Sequence, residues 1–323
     1  MEKDFADEEV EVIKKKRRNR KTIGEEGSRK QTAIGLGVSL VLGLLFYLPK
    51  EFSNWWGKMN QVETITIEKP IGDSKDVSEV VGFKVVIKEK QDVREAVEEI
   101  LKDLPGKYGV LVESLEGTES FSINGLESFE VASLNKIPVL IEYYRQVDKG
   151  EIDPEEVYVL REKDRWEYGT GSMQNQPAGT EYSYDEVAFL VANVSDNMGA
   201  QLLSRWVDSE LVDELVLEDI GTIFKDLYNG ELLSKESRDK LFESLTETSN
   251  EDRITAGVPS GVRVVHKFGS EVGVVNDCGI VYPLKGETSA DYVICLMASG
   301  VNEGQAQDIW PKISRVVWEW IGK

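Results

Sequence analysis

The pattern of apolar and polar positions changes character several times along the chain. Residues 1–30 are charged and show no period. From Gln31 to Pro49 no residue is charged, and Ala33 to Leu48 is apolar apart from Ser39 and three glycines. Residues 50–90 hold only short strand-like alternations, Val62 to Glu68 and Val80 to Ile87, with the breakers Pro70, Gly72, Asp73 and Ser74 between them. From Gln91 onward the pattern is dense. Asp92 to Leu104 puts Val93, Ala96, Val97, Ile100, Leu101 and Leu104 on one helical face, with Asp92 as N-cap and Pro105-Gly106 as the stop. Tyr108 to Glu113 and Glu119 to Ile123 read as a hairpin turning at Glu116-Gly117.

The middle of the chain reads as helical. Leu134, Ile137, Ile141 and Tyr144 recur at the spacing of one helical face, which predicts a helix opening at Ser133 and running to about Gly150. Asp185 to Val194, Met198 to Trp206 and Phe224 to Leu245 predict further helices, with Ser234 as a cap. The pattern then turns to strands, Val262 to Lys267, Val272 to Tyr282 and Asp291 to Ala298, and closes on a Trp-rich helix, Ile309 to Ile321. Strands at both ends of a helical middle predict an α/β sandwich (α+β class). Its mainly antiparallel sheet is assembled from N- and C-terminal segments.

Composition sharpens this picture. The net charge is −21, but residues 1–32 hold 10 Lys/Arg against 8 Asp/Glu, while the remainder holds 28 against 51. A body with a balance of −23 lacks the basic footprint that nucleic acid requires, so no nucleic-acid partner is expected. The basic run Lys14 to Lys21 instead precedes the uncharged stretch, whose length is near the lower end of the ~17–25 residues that span a bilayer. Trp55 and Trp56 follow as interface anchors. The expected organisation is a cytoplasmic charged tail (1–30), a transmembrane anchor (31–49), a juxtamembrane stalk (50–90) and an extracytoplasmic domain (91–323). The alternatives for the uncharged stretch are a cleaved signal peptide or a buried core helix. The long charged leader and the lack of a small-x-small cleavage site favour the anchor.

Histidine occurs once, at His266, and cysteine twice, at Cys278 and Cys295. No metal centre, redox motif or cofactor is expected from so few ligands, and only His266 is open to a Ser-His-Asp triad. The two cysteines fall on neighbouring predicted strands that turn near Lys285-Gly286, where a disulfide or two buried thiols are both compatible with the pattern.

The candidate chemistry lies in three short motifs. Ser133-x-x-Lys136 puts a hydroxyl at a helix mouth and an amine one turn later. The same spacing recurs at Ser237 and Lys240 on a charged helix face, so Ser-x-x-Lys alone fits a helix cap as well as a nucleophile. Ser195-Asp196-Asn197 follows an apolar segment, which fits either a capped helix–helix turn or a second hydroxyl with an amide. Lys267-Phe268-Gly269-Ser270 lies at a strand end, and Lys-x-Gly recurs at Lys107 to Gly109. The three together, in this order, form the signature of penicillin-binding proteins and class A β-lactamases. The chain resembles class A β-lactamase-like serine hydrolases over about residues 91–323. Val131 to Val139, Gln146 to Gly150, Pro177 to Thr180, Val194 to Leu203 and Val275 to Tyr282 all read like that family's text.

The resemblance implies Ser133 as the acylated nucleophile, Lys136 as its base, Ser195 as proton shuttle, Asn197 as ligand for a substrate amide, and Lys267 as electrostatic partner of a substrate carboxylate. It implies an oxyanion hole from the backbone N–H groups of Ser133 and Ser270, beside Gly269. Two departures stand out. Phe268 replaces the family's Thr or Ser, and Ser270, from the adjacent strand position, is expected to face the other way. The Glu-x-x-Leu-Asn loop that carries the deacylating Glu has no match. Leu211 to Ile220 runs almost directly into the Thr222 helix, and Glu214, Glu218 and Asp219 are the nearest carboxylates in sequence. The expected function is a membrane-anchored serine hydrolase, acylated by β-lactams or peptidoglycan-derived acyl-D-Ala peptides, with weak or absent deacylation. The alternatives are a catalytically impaired cell-envelope binding or scaffold domain, or a D,D-peptidase-like enzyme acting on peptidoglycan.

Overall fold

In the computed structural model, residues 92–117, 119–165, 169–284 and 290–322 are described. The tail, anchor and stalk expected over residues 1–90, with Trp55 and Trp56, and the expected turn at Lys285-Gly286 lie outside them. No helix among the described residues is long and apolar enough to cross a membrane.

The first elements are α1 (Asp92–Leu101), β1 (Lys107–Ser114), β2 (Ser120–Ile123) and β3 (Ser128–Glu130). The helical middle follows: α2 (Lys136–Asp148), β4 (Val157–Val159), β5 (Glu181–Ser183), α3 (Tyr184–Asn193), α4 (Asn197–Val207), β6 (Glu214–Val216), α5 (Leu217–Asn229), α6 (Lys235–Ser244) and the single turn α7 (Ile254–Gly257). The chain closes with β7 (Arg263–Glu271), β8 (Val274–Tyr282), β9 (Tyr292–Ser299) and α8 (Glu303–Ile321). Five strands form one antiparallel sheet in the order β2-β1-β9-β8-β7. Strand β9 therefore joins the N-terminal hairpin to the C-terminal one, as the sandwich reading requires. The small strands pair separately, β3 with β6 and β4 with β5, and their short segments carried no alternation long enough to predict them.

Strand alternation divides the core in two. Tyr108, Val110 and Val112 of β1 and Tyr292, Ile294, Leu296 and Ala298 of β9 pack with Val93 and Val97 of α1 and with Ile309, Trp310, Ile313 and Val317 of α8. The intervening Leu111, Val293, Cys295 and Met297 pack with α2 to α6. Each fully buried aliphatic side chain contributes roughly 1.5–3 kcal/mol, so both layers are needed to hold a sheet that is covered on both faces. Cys278 and Cys295 stand directly opposite each other in this sheet, both as fully buried free thiols.

One predicted helix divides in the structure. The predicted helix Phe224 to Leu245 is two helices, α5 and α6, because Gly230 takes the left-handed φ of +75° that caps α5. Ser234 then caps α6 as expected, its hydroxyl accepting from Ser237 N at 3.2 Å. The second Ser-x-x-Lys is structural: Ser237 bonds Asp148 and Lys240 bonds Asp185.

Candidate active site

Ser133 does not sit in the α-helix itself. It occupies a 3-10 turn, Ala132–Asn135, that leads into α2, and the preceding Ala132 has a φ of +45°. A non-glycine residue in that region is held there by its surroundings. Val131 N is bonded to Asp213 O at 3.0 Å, and Asn276 Nδ2 donates to Glu130 O at 2.8 Å, so the approach to the turn is fixed from both sides. Strand β7 runs against it. A Cβ on Gly269 would lie 2.9 Å from Ser133 N and 2.9 Å from Val131 O, so only glycine permits this approach.

Lys136, in the first turn of α2, is 3% exposed and gathers the motifs. Its Nζ lies 3.0 Å from Ser133 Oγ, 3.0 Å from Ser195 Oγ, 2.6 Å from Ser195 O and 2.6 Å from Asn197 Oδ1. Burial brings its pKa down to about 7, against the opposing pull of Asp196. The segment that supplies three of these oxygens is built around Asp196. That carboxylate caps α4 by accepting from Gly199 N at 2.9 Å and holds the facing loop by accepting from Met173 N at 2.8 Å. Ser195 takes a φ of +58°, Asp196 N donates to Leu190 O, and Thr170 bonds both neighbours: its hydroxyl donates to Ser195 O and its carbonyl accepts from Asn197 N. The helix-cap reading and the site reading of Ser195-Asp196-Asn197 are thus both satisfied, by different residues of the triplet.

Lys267 is fully buried on the helical side of β7, in register with Cys278 and, one strand further, Cys295. Its Nζ donates to Phe268 O at 3.0 Å and lies 4.2 Å from the centre of the Phe268 ring. Burial, reinforced by the nearby Lys136 and Arg253 cations, holds its pKa well below the ordinary lysine value despite Asp277. Ser270 is two residues from Phe268 and so shares its side of the strand, which corrects the expectation that it faces away. Its exposed hydroxyl accepts from Arg253 Nη2 at 2.5 Å.

Arg253 escaped the sequence reading. It is fully buried behind β7, and its Nη1 donates to Gly269 O and Asn276 O. Beside Glu251 and Asp252 in sequence, it carries no signal that sets it apart from a solvated side chain. Asn276 and Asp277 were visible in the text but not as site supports. Asp277 accepts from Ile254 N and pairs with His266 Nδ1 at 2.7 Å.

His266 is not part of a triad with Ser133. It has Thr248 Oγ1 at 3.3 Å and Glu251 Oε1 at 3.2 Å from Nε2, and Asp277 on Nδ1, which mimics a hydroxyl–imidazole–carboxylate line. Burial disfavours its charge, but Asp277 and Glu251 outweigh burial and push its pKa up to about 9. An imidazolium has no lone pair with which to accept a hydroxyl proton. Of the nearest carboxylates in sequence, Glu214 accepts from Ser128 and Glu218 from Ser122, while Asp219 lies in the first turn of α5. Among the described residues no carboxylate bonds Ser133, Lys136 or Ser195, and no cluster of His, Cys, Asp and Glu could hold a metal ion.

A family model for the beta-lactamase enzyme family matches residues 92–219 and 214–321. Beta-lactamase VEB-1 of Pseudomonas aeruginosa is 20% identical over 266 residues, covering 69% of this chain and 88% of that protein. Among solved structures, a beta-lactamase from Sphaerobacter thermophilus DSM 20745 is 25% identical with a TM-score of 0.66, covering 72% of this chain and 98% of that one. PBP-A is 22% identical with a TM-score of 0.66, covering 71% and 95%. A mutant of PBP-A has been solved as its acyl-enzyme complex with penicillin-G.

Proposed function

The chain belongs to the beta-lactamase enzyme family, and on that premise we propose that it is acylated at Ser133 by β-lactams or related acyl-D-Ala peptides and releases the acyl group slowly. The observation that carries this reading is the position of Lys136. Of its four oxygen neighbours, Ser195 O and Asn197 Oδ1 can only accept. A neutral amine has two N–H groups, which these two oxygens satisfy, and its lone pair is left for a hydroxyl. With a pKa of about 7, roughly half of Lys136 is in that form at neutral pH.

In this scheme the Lys136 amine takes the Ser133 proton as Oγ attacks the scissile carbonyl. Charge develops on the carbonyl oxygen, which the backbone N–H groups of Ser133 and Ser270 receive across the gap that Gly269 keeps open. One such donor is worth roughly 3 kcal/mol of barrier in other hydrolases. Ser195, on the same amine, passes the proton to the leaving nitrogen, and Asn197 binds the substrate's amide side chain. Slow release follows from the support the centre has: among the described residues no carboxylate bonds Ser133, Lys136 or Ser195 to serve as a base for water.

Intact mass of the full-length chain mixed with penicillin-G tests the proposal. A single adduct that persists for many minutes and is absent from Ser133→Ala is expected. No adduct on the parent chain overturns the proposal, and prompt return to the free mass overturns the slow-release part alone. We further propose that residues 31–49 anchor the chain with the basic tail inside and residues 91–323 outside, on the strength of the uncharged stretch and the basic run before it.

A further inference from the structure

Two buried basic side chains meet at the end of β7. Arg253 has the Asp252 carboxylate 3.4 Å from its Nε, whereas the hydrogen bonds of its Nη atoms, like that of Lys267, go to neutral oxygens. Arg253 directs its Nη atoms at Gly269 O, Asn276 O and Ser270 Oγ. Lys267, with no carboxylate in ion-pair distance among the described residues, donates to Phe268 O and carries the Phe268 ring at 4.2 Å. A buried ammonium without a counterion is costly, and the negative face of an aromatic ring is a partial substitute for one. Phe268 is 9% exposed and Lys267 fully buried, so the ring is the part of this pair that reaches the surface.

We infer that Phe268 occupies the place from which a ligand carboxylate would reach Lys267, so that the site takes acyl donors without requiring a negative charge beside the scissile amide. The inference rests on the acylation reading above and specifies its substrate class. A carboxylate brought to Lys267 meets the electron-rich ring of Phe268, while the Arg253 guanidinium is engaged by Gly269 O, Asn276 O and Ser270 Oγ. The Ser270 hydroxyl, polarised by Arg253, remains as a neutral donor that serves an ester or amide oxygen as well as a carboxylate. The selectivity of the site thus resides in one side chain, and exchanging the ring for a small residue opens Lys267 to water and to a ligand carboxylate, both of which favour its charged form.

The test compares benzylpenicillin with its methyl ester, which differ in that one charge. The second-order rate of adduct formation on the full-length chain is followed by intact mass. For the parent, acid and ester are expected to react within about threefold of each other. Phe268→Thr is expected to raise the acid-to-ester ratio by about tenfold, the size of one uncovered charged contact. Phe268→Leu, which keeps apolar bulk but lacks the ring face, shifts the ratio in the same direction by less, and it stands in if the Thr variant does not fold. A parent that already favours the acid by tenfold or more, or a ratio that neither variant changes, overturns the inference and leaves the acylation reading standing. Failure of both probes to form any adduct overturns the acylation reading and this inference with it.

Discussion

Lys136 owes its chemistry to where it is buried. Loss of water lowers its pKa to about 7, and Asp196 limits the fall. Protonated Lys136 has no lone pair, so acylation is expected to rise tenfold per pH unit below about pH 7 and to level off above it, read from rates of adduct formation against pH. A flat profile from pH 5 to 9 contradicts the role of Lys136 as base. Ser133, Lys136, Ser195, Asn197 and Lys267 could all be named from the sequence, because each belongs to a motif with fixed spacing. Arg253 could not, because Glu251-Asp252-Arg253 reads like any solvated turn until the fold buries the third residue alone. His266 could be named but not assigned: strand alternation places it on the side of β7 opposite Lys267, among Asp277, Glu251 and Thr248.

At the scale of elements, the start of α4 carries both stability and site geometry. Asp196 satisfies two backbone donors, Gly199 N and Met173 N, while its neighbours Ser195 and Asn197 face Lys136. Asp196→Asn keeps the shape but loses the charge and the second of those acceptors. Its expected cost is about 1–3 kcal/mol in denaturant unfolding. The same variant removes the charge that raises the Lys136 pKa, so the rising limb of the acylation profile is expected to move to lower pH. Unchanged stability would show that the cap is dispensable, and a limb moved upward would contradict the assigned sign. The strands and long helices were legible from their periods, whereas the break at Gly230 and the short pairs β3–β6 and β4–β5 were not. A glycine inside an apolar run signals a cap only when the next turn is known to leave the helix axis.

At the scale of the whole molecule, the sheet depends on both ends of the domain, because β9 lies between β1 and β8. The acidic domain and the basic tail carry opposite charge balances, which is the basis of the proposed orientation. Protease added outside intact cells is expected to degrade residues 91–323 and to spare an epitope placed before residue 14. Protection of the domain together with loss of the epitope contradicts that orientation.

The order of the long helices and strands, the motif serines and lysines, the acidic body and the scarcity of histidine and cysteine were determined by the sequence alone, since these are matters of spacing and composition. Only the tertiary structure decided what those residues become. It buried Lys136 among four oxygens from segments about sixty residues apart, turned Arg253 inward, and laid Phe268 over Lys267. Burial and long-range contact set pKa and partner, and neither is a property of local sequence.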